Sequence, residues 1–257
     1  MIQLQFEVHK IFYLHPGGWG QGDLRDIITL LDSVVTDFYA HLEVGQITHK
    51  PVFVVNSKNK NPPSDSPEIL KLDKLNLIFL NTSDRLWSQY SYQFAHELCH
   101  HVIDADFYKT NDKFGWFEEV LCELASLFCI DKMSQTWQTN PPYTNWKDYS
   151  ISLADYFKAI IEKPENIISK QFKVWLTENL ELFYRDRYRR TENRIVALKL
   201  FPLFKHRPEF WTTIQYLKFI KVTASMNFDD FIEAWTELVP NKLRELLFEI
   251  KATLIYD

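Results

Sequence analysis

One eleven-residue stretch, FAHELCHHVID (Phe94–Asp104), limits the fold more than any other part of the chain. It holds three histidines, a glutamate and a cysteine. His96 and His100 are four residues apart, and a helix stacks such a pair one turn apart on one face. Neutral imidazoles placed this way can both reach one zinc ion at about 2.0–2.1 Å. Glu97 then lies beside the metal, close enough to take a proton from a metal-bound water. His101 points about 100° away from His100 and is expected to be a packing or surface residue. A catalytic zinc takes three protein ligands, so a second element has to pass this helix.

The nearby acids are Asp104, Asp106, Glu118, Glu119 and Glu123. Asp104 and Asp106 lie too close along the same helix, or just beyond it, to fold back easily. Glu119 follows His100 after 18 intervening residues, enough for the chain to turn and send a second helix, WFEEVLCELASLFCIDKM (Trp116–Met133), past the first. Glu118 reads as a solvated charge. Cys99, Cys122 and Cys129 read as small core residues, and an odd number of cysteines gives no disulfide framework.

HELCH followed after 18 residues by the WFEE segment resembles the gluzincin class of zinc metallopeptidases. The resemblance covers roughly residues 75–128. It implies zinc held by His96, His100 and Glu119, with Glu97 as general base and Glu123 steadying a ligand histidine through its free ring N–H. The sequence departs from the commonest wording of the class, which has Gly after the ligand glutamate where this chain has Val120. A second alignment, through ELASLF, resembles the E-x-A-x-x-F wording of small phage- and stress-associated metallopeptidases and would make Glu123 the ligand. Glu119 is preferred and Glu123 is kept as the alternative. The class also places an edge strand above the metal for an extended peptide, and LNLIFLN (Leu75–Asn81) is a candidate, as well as a plain core strand.

The rest of the chain gives the setting. VHKIFYLH (Val8–His15) and PVFVVN (Pro51–Asn56) read as strands. PGGWGQG between them reads as a flexible loop bordering a cleft, and Asp23 caps a helix after it. SKNKNPPSDSP (Ser57–Pro67) is a polar loop, and DFYKTNDKFG links the two central helices. WQTNPPYTNWKDYS reads as a boundary, with helical patterns beyond it. The expectation is an α+β protein: a zincin-like core with a small sheet, the HExxH helix and the glutamate helix in residues 1–136, a linker over 137–150 and a helical part over 151–257.

Peptide hydrolysis builds negative charge on the carbonyl oxygen, and the class stabilises it from the helical part after the metal helices. FYRDRYRRTENR (Phe183–Arg194) offers Tyr188, with Tyr184, Arg187 and His206 as further candidates. Read as one helix, it puts Tyr184 and Tyr188 on one face. The interleaved Asp186 and Glu192 weaken a nucleic-acid reading, and a net charge of -5 over 257 residues argues against a general one. There is no basic leader before a clean apolar run and no apolar stretch of membrane-spanning length. The expectation is a cytoplasmic zinc metallopeptidase acting on a peptide or protein. The alternative is a non-catalytic, zinc-containing regulatory or interaction protein.

Overall fold

The computed structural model describes residues 4–105 and 112–255. The chain is mixed α+β. Its five-stranded sheet has the order β1-β2-β3-β5-β4, from β1 (Leu4–Gln5), β2 (Phe12–Leu14), β3 (Val52–Asn56), β4 (Glu68–Lys71) and β5 (Asn76–Leu80). The helices are α1 (Leu24–Tyr39), α2 (Trp87–Ile103), α3 (Gly115–Thr136), α4 (Tyr149–Ile161), α5 (Phe172–Arg185), α6 (Arg190–His206), α7 (Phe210–Ile214), α8 (Phe228–Leu238) and α9 (Arg244–Leu254). Most of the DFYKTNDKFG link, residues 106–111, lies outside the described residues, as does Asp106.

The chain divides into two compact units. One takes the chain up to Ala40, Ile47–His101 and Ala125–Ile160, and the other takes His41–Gln46, Val102–Leu124 and Ile161 onward. The division passes through α2 and α3, and residues 137–150 belong to the first unit.

In the first unit, β2 and β3 run parallel with α1 as their crossover, and β3 and β5 are also parallel. β1 pairs with β2 and β4 with β5 in antiparallel fashion. The alternation of VFVVN, buried at every second residue, follows the two-residue period of a strand with one covered face. LNLIFLN forms β5, but β5 is paired on both sides, so the edge position belongs to β4. The VHKIFYLH strand is shorter than expected: its first half is a turn, closed by a hydrogen bond from the Phe12 N–H to the His9 carbonyl at 3.0 Å. Asp32, on α1 and 5% exposed, accepts from the backbone N–H of Val8 at 2.7 Å and of His9 at 3.1 Å. That carboxylate ties the β1–β2 turn to the helix.

The glycine-rich loop is pinned rather than flexible. Trp19 is buried and its indole N–H donates to the His15 carbonyl at 2.6 Å, while Asn59 donates to the Gly17 carbonyl at 2.8 Å. Gly18 and Gly20 have φ of 96° and 63°, a region L side chains avoid. A Cβ on Gly18 would also lie 2.7 Å from the Asn56 Cβ.

An aromatic group seats α2 on the sheet. The Phe12 ring lies 5.4 Å from Phe6, 6.1 Å from Phe94 and 5.9 Å from His101. The second unit is aromatic too: Trp116 stacks on Phe183 at 4.4 Å and lies 5.0 Å from Phe228, and Phe114 stacks on Phe231 at 4.5 Å. Such pairs add to plain area burial. Among the described residues, no helix is long and apolar enough to cross a membrane.

The arginine-rich stretch is two helices with a break. α5 ends at Arg185, Asp186 is extended, and α6 starts at Arg190. The Asp186 side chain accepts from the Tyr188 N–H at 3.0 Å, and Asn193 donates to the Arg187 carbonyl at 2.7 Å. These local bonds compete with helix continuation. Tyr184 and Tyr188 therefore do not share one helix face.

Two stability predictions follow from the first unit. Asp32→Ala strands two backbone donors and lowers the unfolding free energy by about 1–3 kcal/mol. Unchanged urea denaturation would contradict the tie. Burial raises the Asp37 carboxyl from 3.8 to about 6, with Lys132 and a hydrogen bond with Thr136 opposing. Between those values the folded chain binds a proton that the unfolded chain lacks, so this group's contribution to stability is lost as pH rises towards 6. Asp37→Asn is expected to stabilise by about 2 kcal/mol at pH 7, allowing for partial exposure, and by little below about pH 4. Equal shifts in melting temperature at both pH values would contradict this.

Candidate metal centre

α2 forms where expected. Phe94, Leu98, Val102 and Ile103 are buried along it, and Asp104, with φ of 45°, follows its last residue in a left-handed conformation. The two motif histidines stack as their spacing requires, with ring centroids 5.2 Å apart and planes at 67°. His100 is 4% exposed and Glu97 2%, while His96 is only partly buried. His101 turns away to the sheet, where its Nδ1 is 2.8 Å from the Asn76 side-chain nitrogen. Burial first, and then the charges of Lys71 and Lys50, bring its pKa down to about 3. It is a neutral packing histidine, as its offset from His100 predicts.

α3 is buried on every side from Trp116 to Ile130. Ser126 ties it to α2, its hydroxyl donating to the Tyr92 carbonyl at 2.9 Å. One turn back along α3 is Cys122, and one turn forward along α2 is His96. These residues meet: donor atoms of His96, His100 and Cys122 all lie within 4.8 Å of one another. Among the described residues this is the one group of three or more histidine, cysteine or acidic side chains that can hold a metal ion. Cys122, expected to be a small core residue, is indeed fully buried, but its sulfur belongs to the histidine pair's surroundings. Cys99 and Cys129 are buried thiols outside that group.

Of the two acids proposed from the sequence, Glu119 lies three residues before Cys122, the spacing of helix neighbours, while Glu123 is adjacent to Cys122 and points about 100° away from it. Glu119 meets a buried arginine and Glu123 a partly buried one. Glu119 accepts from Arg187 at 2.8 Å, and Glu123 accepts from Arg194 at 2.6 Å. Glu118 is 1% exposed, not a solvated charge, because α3 presents no face to water at this point. Tyr188, the first candidate for charge stabilisation, is 67% exposed, with the Arg187 guanidinium 5.0 Å from its ring centre. Tyr184 is held between Phe114 and Lys113, and burial pushes its phenol up to about 12. His206 is exposed at the end of α6.

Two features of this region were not assigned from the sequence. Cys122 carried a usable signal: it stands three residues after Glu119, as helix neighbours do, and thiolate is a common zinc donor. The Arg187–Glu119 and Arg194–Glu123 pairs span 68 and 71 residues, and no local pattern encodes such a pairing.

Removing one partner of a buried pair leaves an uncompensated charge. Arg187→Met is therefore expected to cost about 3–5 kcal/mol at pH 7, and adding Glu119→Gln should recover part of that loss. Chemical denaturation of the single and double variants measures it, and strictly additive losses would contradict a direct coupling. No family model, curated protein or solved structure matches this chain.

Proposed function

We propose that the protein is a zinc-dependent metallopeptidase whose metal is held by His96 and His100 of α2 with a third donor from α3. The observation that carries this reading is the conjunction of the His96–His100–Cys122 group with Glu97, next to one of its histidines on the same helix. Two imidazoles and a thiol are borderline-to-soft donors. They suit zinc, whereas calcium and magnesium select oxygen ligands. Zinc bound there would polarise a carbonyl oxygen and acidify a water.

The chain's own residues would supply the rest. Glu97, in a nearly water-free position, serves as general base towards the attacking water and passes the proton to the leaving amine. The oxyanion partner belongs to the helical part of the chain in this reading, and the 67% exposure of Tyr188 leaves it free to approach a bound peptide. The arginine-rich stretch supports a structural role over nucleic-acid binding, since Arg187, Arg189 and Arg194 face Glu119, Glu192 and Glu123.

A non-catalytic zinc protein is the second reading, favoured by the thiol, a donor common in structural zinc sites. One experiment separates the two. The purified chain is expected to hold about one zinc and to cleave an unstructured protein such as casein. Glu97→Gln is expected to keep the zinc and lose at least about 100-fold in cleavage rate. Zinc retained by both proteins with cleavage by neither would favour the second reading. No zinc affinity in the wild type would contradict both.

A further inference from the structure

We propose that the third metal donor is the thiolate of Cys122, and that Glu119 and Glu123 are carboxylates held by arginine rather than ligands. This rests on the reading of His96 and His100 as ligands and says which residue completes them.

Three observations converge. The first is placement. Two nitrogens at about 2.05 Å and a sulfur at about 2.3 Å from a tetrahedral zinc stand about 3.3–3.6 Å apart. The donor atoms of His96, His100 and Cys122 already lie within 4.8 Å of one another, so small side-chain rotations complete the geometry. The second is charge. Glu119 and Glu123 each direct an oxygen at a guanidinium that is itself largely buried, with Arg187 and Arg194 side chains 5% and 13% exposed. A charge-assisted hydrogen bond of this kind orients the carboxylate and offsets its charge. The third is register. The Ser126 hydroxyl donates to the Tyr92 carbonyl and joins α3 to α2. One turn from that bond on each helix stand Cys122 and His96.

The chemical consequence is a site of two nitrogens and one sulfur. On binding, the Cys122 thiol releases its proton to solvent and the sulfur donates a lone pair to the metal. Thiolate favours zinc, cobalt and cadmium over magnesium, calcium or manganese. Cys99 and Cys129, equally buried, are predicted to stay thiols.

The test is cobalt substitution in the full chain. Metal-free protein is titrated with cobalt(II), and the near-ultraviolet thiolate-to-cobalt charge-transfer band is recorded. Wild type, Cys99→Ser, Cys129→Ser and Glu119→Gln are expected to show the band. Cys122→Ser and Cys122→Ala are expected to lack it and to bind zinc more than about tenfold more weakly, with circular dichroism confirming the fold of each. The wild-type spectrum decides the matter even if neither Cys122 variant folds. Cobalt bound by the wild type without the band would overturn Cys122 as the donor and leave the histidine reading standing. Cobalt affinity unchanged by His96→Ala would overturn the histidine reading itself.

Discussion

The hydrogen bond from Ser126 to the carbonyl of Tyr92 joins the two helices that carry the candidate site. A buried hydroxyl has to find an acceptor, and this one takes it from the neighbouring helix. The bond ties α3 to α2 within the first unit. Periodicity then does the remainder. On α2 it stacks His96 over His100, and on α3 it makes Glu119 a neighbour of both Cys122 and Glu123. A slip of one residue along α3 would turn it by about 100° and put Leu121 or Glu123 where Cys122 stands.

The surroundings hold this register rigid. His101, next to a candidate ligand, is locked against the sheet by Phe12 and Asn76. Its low pKa keeps it neutral in the physiological range, so it adds no charge to the site. On α3, the buried arginine pairs keep two acids in fixed positions among apolar neighbours. Pairs of this kind contribute little net stability compared with an apolar core, but losing one partner is costly.

Much of this was legible in the sequence, and the legible parts are the local ones. HELCH declared its helix because helical spacing stacks the two histidines one turn apart, close enough to share an ion, and α2 and α3 appear where the periodicity puts them. VFVVN and LNLIFLN became strands for the same reason, through alternation and branched or aromatic content. What the sequence hid was long-range. Nothing local says that β4 would take the outer position and enclose β5. Nothing local says that Asp186 and Asn193 would break an arginine-rich helix by bonding its backbone. Cys122 is intermediate: its residue type and helix face were visible, but its nearness to the histidines depends on the register between two helices. The glycine-rich loop misled for a related reason, since glycine content suggests freedom and the burial of Trp19 takes that freedom away.

The central claim is that one metal sits on two imidazoles from α2 and a sulfur from α3. X-ray absorption at the zinc edge on the purified full chain tests it most directly, because the spectrum reads the donor atoms without a substitution. The account predicts imidazole scattering from two histidines at about 2.0–2.1 Å and one sulfur at about 2.3 Å. A shell of oxygen and nitrogen alone, with no sulfur, would contradict it.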